Sequence, residues 1–188
     1  DGGTVVTENV KANLPEDLQN VFNNAAAQYN VPQQAVAYLG SQVVSGTNHA
    51  FLTQNTDGSN AFHVMIAYQD LDGNVELKSI SDIDPTAESF GGSSDSGEAG
   101  GWTVAENTYS SLPSDAKAAL DNAMAKSTGS SVTPVALLGT QVVNGTNYTI
   151  LCKSAPVSPD ASESLQVVHV TQDASGNAEI TEFIPFAI

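Results

Sequence analysis

Apolar residues at Leu18, Val21, Phe22, Ala25, Ala26 and Tyr29 recur at spacings of three and four, which places them on one stripe of a helix. Gln19, Asn20, Asn23 and Asn24 fill the opposite, solvated face. The same period returns at Ala116, Ala119, Leu120, Ala123, Met124 and, more weakly, Ser127. Pro15 and Pro113 stand where a helix tolerates proline, at its first turn. Glu16 and Asp17, or Ser114 and Asp115, follow, and an acidic first turn complements the positive end of the helix dipole. After each helix the pattern changes to strands. Residues 34–44 and 47–54 flank Ser45-Gly46, and 62–69 and 74–83 flank Asp70-Leu71-Asp72-Gly73. Later, 134–143 and 146–153 flank Asn144-Gly145, and 163–172 and 177–186 flank a turn at Ser175-Gly176. Each pair reads as a hairpin with glycine supplying the turn. Short segments before the helices, 4–8 and 103–106, each predict one further strand.

The two runs of elements are copies. Val36-Ala37-Tyr38-Leu39-Gly40-Ser41-Gln42-Val43-Val44-Ser45-Gly46-Thr47-Asn48-His49 matches Val135-Ala136-Leu137-Leu138-Gly139-Thr140-Gln141-Val142-Val143-Asn144-Gly145-Thr146-Asn147-Tyr148 at most positions. Leu14-Pro15-Glu16-Asp17 pairs with Leu112-Pro113-Ser114-Asp115, and Asp72-Gly73-Asn74 with Ser175-Gly176-Asn177. Several blocks in one order at a nearly constant offset establish a tandem duplication. The organisation read from this is a first domain at 1–84, a Gly/Ser-rich tether at 85–100 and a second domain at 101–188. Each copy spans roughly 85 to 90 residues, a size at which one core folds alone. Strand, helix and four antiparallel strands predict an α+β class, a curved sheet of four to five strands wrapped on one helix in each copy.

Charge narrows the partners. Five lysines and no arginine face 21 acidic residues, a formal net charge of -16. Such a surface repels phosphate backbones and anionic lipid heads, so nucleic acid is excluded and a protein partner is expected. The chain contains no run of about 18 apolar residues that would span a membrane. It starts at Asp1 without Met, which suggests a processed chain with a removed leader as one explanation. Few Lys and many Thr, Ser, Asn and Gly fit a secreted or surface-displayed bacterial protein.

Gln42-Val43-Val44-Ser45-Gly46 and Gln141-Val142-Val143-Asn144-Gly145 resemble the QxVxG first-hairpin motif of the cystatins, reversible inhibitors of papain-like cysteine proteases. The following Thr-Asn, with Tyr148 in the second copy, extends the likeness to the stefin branch. The order of elements is similar too, so the resemblance implies two tandem cystatin-like domains, as in bacterial cystatin-like repeats. In that family a glycine near the N-terminus, the first hairpin and a second loop carrying Pro-Trp form a wedge that enters the protease cleft. The resemblance assigns Gly3 and Gly101 to the first piece and the two QxVxG strings to the second. The second turns here, 70–74 and 173–177, are polar and lack Pro-Trp. The implied function is a non-catalytic secreted or surface binder that inhibits papain-like proteases. The alternative is a structural or adhesive surface module, because the same string has a purely structural reading. In that reading the glutamine hydrogen-bonds across the hairpin, the valines fill the sheet and the glycine makes the turn.

Catalytic chemistry is not expected. Cys152 falls in a strand where the first copy has Thr53, and no His and Asn partners recur around it, so it reads as a buried thiol. His49, His63 and His169 lack the spacing of a zinc site, and no run has the alternating ligands of a calcium loop, so neither metal nor cofactor is expected. Trp102 reads as cover for the sheet end or the tether junction. A small-molecule pocket between helix and sheet is discouraged by the bulky stripe of the first copy. Any such pocket is expected behind the slimmer Ala116, Ala119 and Ser127.

Overall fold

The computed structural model describes residues 3–85, 90–91, 102–127, 131–154 and 163–188. The first repeat gives β1 (Val5–Val6), α1 (Glu16–Ala26), β2 (Gln33–Val44), β3 (Gly46–Asn55), β4 (Phe62–Gln69) and β5 (Val75–Ile83). A short β6 (Phe90–Gly91) follows. The second repeat gives β7 (Thr103–Val104), α2 (Ser114–Ala125), β8 (Val132–Val143), β9 (Gly145–Ser154), β10 (Ser164–Asp173) and β11 (Ala178–Ala187). The predicted helices and hairpins are thus present at nearly the expected positions. Of the expected tether, only Pro85 and β6 are described; residues 86–89 and 92–100 lie outside the described residues, as does Gly101. No described helix is long and apolar enough to cross a membrane.

The sheets do not follow the repeats. One sheet runs β5-β4-β3-β2-β7 and the other β1-β8-β9-β10-β11-β6. Each repeat's leading strand therefore joins the sheet of the other repeat. The compact units reflect this: one combines Asp1–Glu8, Pro85–Gly91 and Ser111–Ala187, the other Asn9–Asp84, Gly92–Ser110 and Ile188. We call them the second-repeat unit and the first-repeat unit after the four strands each keeps intact. Among the described residues all strand pairings are antiparallel except that of β6, which runs parallel to β11.

The expected fold class, α+β with two tandem cystatin-like domains, is corrected. The described residues are mostly β, 52% strand against 14% helix, with two sheets and two helices among them. The physical reason lies in the middle strands. Phe51 and Met65 face α1, but Ala50 and Leu52, which alternate with Phe51 and so point the other way, are also fully buried. Leu151, between Ile150 and Cys152, behaves alike. Strands buried on both faces carry near-continuous apolar runs, and the helix covers only one of those faces.

In the first-repeat unit Val21, Phe22 and Ala25 of α1 pack on Phe51, Met65 and Ala67. The Phe22 and Phe51 rings meet edge to face at 5.5 Å. In the second-repeat unit Ala116, Ala119, Leu120 and Ala123 of α2 pack on Leu137, Tyr148, Ile150, Val168 and Val170. Both sheets bend at the same places. The β2/β3 register shifts between Ala35/Ala37 and Tyr38/Gly40, and the β8/β9 register between Pro134/Ala136 and Leu137/Gly139. Such bulges add local twist and let a sheet curl around its helix.

Candidate functional site

The two QxVxG strings form the closed ends of the β2/β3 and β8/β9 hairpins. Gln42 lies opposite Asn48, and Gln141 opposite Asn147. The Asn48 side-chain amide donates to Gln42 Oε1 at 3.0 Å, and Asn147 to Gln141 Oε1 at 3.1 Å. The glutamine is therefore turned into the hairpin, and Gln42 is only 6% exposed. Gly46 and Gly145 take φ of +108° and +124°, a region that L side chains rarely adopt. A Cβ there would also overlap the carbonyl oxygen of Gln69 or Gln172 on the next strand. In the first-repeat unit the Tyr68 hydroxyl donates to the Ser45 carbonyl and braces the turn.

What remains for a partner is the tip. Val43 is 71% exposed and Val142 65%, with Ser45 and Asn144 exposed beside them and Val44 and Val143 half-buried. Thr47 pairs with Gln69 and Gly145 with Asp173, so each tip stands at the same end of its sheet as the second turn. The two second turns are built alike. Asp70 Oδ1 accepts the amides of Asp72 and Asn74, both at 2.9 Å, and Asp173 Oδ1 those of Ser175 at 2.9 Å and Asn177 at 3.0 Å. These bonds stabilise the ionised form. The Asn74 side chain foremost holds the Asp70 carboxyl below the usual range, and the Asn177 amide does so for Asp173. Leu71 projects from the first of these turns at 82% exposure, an apolar contact hidden by the acidic residues around it in sequence.

The leading segments reach the same ends. Val5 pairs with Thr140, so Gly3 lies two residues further toward the β8/β9 tip, exposed, with open space around it. Gly3 thus joins Gln141, Val142, Val143, Asn144 and Gly145 in the second-repeat unit rather than the hairpin of its own repeat. Thr103 pairs with Ser41, which sets the half-buried Trp102 level with Gln42 in the first-repeat unit. Sequence reasoning missed this crossover. The only hint was the close similarity of the two leading segments and of the strands that receive them.

Other candidate residues serve local structure. Cys152 is fully buried, and desolvation pushes its thiol up to about 12, so the thiolate needed for nucleophilic attack is not populated near neutral pH. The three imidazoles sit apart. His49 Nδ1 lies 2.9 Å from the Tyr38 hydroxyl and Nε2 3.2 Å from Gln69 Oε1, with its pKa lowered chiefly by burial. His63 lies between Asn55 at 2.9 Å and Asp82 at 3.0 Å. His169 lies between Thr149 at 3.3 Å and Glu182 at 3.7 Å. Behind α2, where any helix–sheet pocket was expected, Ala116 and Ala119 are fully buried. A shallow recess of about 270 Å³ does exist in that unit, lined by Thr4, Gln141, Asn147, Thr149 and His169 among others, with no residue of α2.

Comparison with known proteins finds no family model, curated protein or solved structure that matches this chain.

Proposed function

We propose that this protein is a non-catalytic binder, secreted or displayed at a cell surface, that holds a protein partner with the hairpin end of each unit. The observation that carries the reading is the bare valine at each tip, Val43 and Val142, level with a second turn. An exposed apolar residue on a rigid, cross-bonded hairpin is pre-organised for contact, since little side-chain or loop entropy is lost on binding. The partner class favoured by the motif is the papain-like cysteine proteases, whose cleft would take a narrow, weakly polar edge. In the second-repeat unit Gly3 and the Val142–Gly145 tip, two of the three pieces of such a wedge, share one end with the turn at 173–177, which stands in the place of the third without its Pro-Trp. The acidic surface directs the choice toward partners that are basic around the cleft.

A structural or adhesive surface module is the second reading. It is favoured by Gln42, Asn48 and Gly46 and their counterparts, which all have roles inside the hairpin that would preserve the motif without any partner. Titration of active papain with the intact chain separates the two. The informative variant is V43D/V142D, because both valines are exposed and the change leaves the hairpin bonds alone, unlike any change at Gly46 or Gly145. Inhibition at micromolar concentration or tighter, weakened at least about tenfold in the variant, supports the binder reading. No inhibition by the unaltered chain leaves the structural module.

A further inference from the structure

The two leading segments occupy equivalent seats. Val104 lies opposite Gly40 and Thr103 opposite Ser41; Val6 lies opposite Gly139 and Val5 opposite Thr140. Ala105 N–H donates to the Leu39 carbonyl at 2.9 Å, and Thr7 N–H to the Leu138 carbonyl at 3.1 Å. Each seat needs its glycine. A Cβ on Gly40 would overlap the Thr103 carbonyl oxygen, and one on Gly139 would come within 3.0 Å of Thr4 Cγ2 and 3.1 Å of the Val5 carbonyl. Beyond Ala105 the donated segment stays on the first-repeat unit. Thr108 accepts from Tyr38 N–H at 3.0 Å and Tyr109 from Asn13 N–H at 2.9 Å. Tyr109 then takes φ of +58°, a left-handed conformation costly for an aromatic residue, just before the chain leaves for α2.

We propose that the β2 edge is a docking site for the 102–110 segment of a second copy of this chain, so that chains associate by trading this segment. The edge accepts a strand that no residue of β2–β5 supplies, and its hydrogen bonds are backbone bonds framed by a glycine. Nothing in that seat distinguishes a donor in the same chain from the same donor in another. Exchange of identical elements therefore costs little at the contact itself. The balance is set by effective concentration, on the order of millimolar for a donor joined covalently to its acceptor, so exchange between chains becomes competitive as protein concentration approaches that value.

Ser41 and Thr103 are direct partners across the seat, a separation that suits a disulfide. Full-length S41C and T103C chains are unfolded together, refolded under reductant at ~10 μM or ~1 mM, and oxidised once native. Cys152 is then buried and does not compete. The proposal expects a dimer linked between the S41C and T103C chains, identified by peptide mass, at least about tenfold more abundant from the concentrated refolding. It also expects the S41C/T103C double variant to close within one chain when dilute. The proposal is overturned if the double variant closes but the mixed chains never link, or if the double variant fails to close at all. G40A fills the acceptor and should abolish the link between chains. Should G40A not fold, A105P, which deletes the donor N–H to Leu39, tests the same seat from the other side. A link that persists undiminished in either folded variant is chance surface cross-linking and equally overturns the proposal.

Discussion

The first-repeat and second-repeat units share hairpins, bulges and turn chemistry, yet they fill their cores differently. At equivalent positions Leu18, Val21 and Phe22 on the helix become Ala116, Ala119 and Leu120, while Tyr38, Phe51 and Met65 on the sheet become Leu137, Ile150 and Val168. Both faces of the contact shrink together, and Ala116, Ala119, Leu120, Leu137, Ile150 and Val168 all stay buried in the second core. The polar details diverge as well. Thr53 donates to Gln33 Oε1 at 2.7 Å, whereas the equivalent Cys152 makes only a weak sulfur contact with the Ile150 carbonyl at 3.8 Å. What stays constant is the edge: the glutamine–asparagine bond, the left-handed glycine and the glycine seat for a donated strand. Core volume is free to vary if it varies on both sides of an interface; backbone geometry at a turn or a seat is not.

The comparison breaks most sharply at the glycines. G46A and G145A each place a Cβ on a backbone oxygen at a φ that L residues avoid, and each should cost about 2–3 kcal/mol in chemical denaturation. Equal losses in both units would mark the motif glycine as hairpin chemistry; a loss confined to one would show that the two ends are not equivalent.

These glycines also show how far the sequence could be read. The helix stripe, the four hairpins and the cross-hairpin role of Gln42 and Gln141 were legible, because each rests on contacts local in the chain. The choice of sheet for 4–8 and 103–106 was not. Val6 and Val104 present the same backbone, and Gly139 and Gly40 offer the same seat, so the local pattern is degenerate. Burial on both faces of β3 and β9 was hinted at by the runs Ala50-Phe51-Leu52 and Ile150-Leu151-Cys152. The expectation of a sheet wrapped on a single helix accounts for burial on one face only, which is why the mostly β character was missed. At the candidate site Val43 and Val142 were identified within the motif. Leu71 was passed over because its neighbours are acidic.

A smaller effect sharpens the core difference. C152T puts the first repeat's residue type into the second core, where Val132 stands at the place of Gln33 and offers no side-chain acceptor. It should destabilise the second-repeat unit by about 1–2 kcal/mol, read from the denaturation midpoint. No loss would mean that the buried hydroxyl finds a backbone partner.

The smallest expected effect separates His49 from its counterpart Tyr148. Burial lowers the His49 pKa, so the unfolded chain binds the proton more tightly than the folded one. Its contribution is fully present above the unfolded value near 6.5 and declines as pH falls from there through the folded value. The His49 ring signals in proton NMR should titrate below the ordinary histidine range. A midpoint at or above that range would contradict the burial argument.

The crossover of the leading segments is tested most directly by cross-strand nuclear Overhauser contacts in a dilute sample. Contacts of Val104 with Gly40 and of Val6 with Gly139 are expected. Contacts of Val6 with Gly40 and of Val104 with Gly139 would mean instead that each repeat closes on itself.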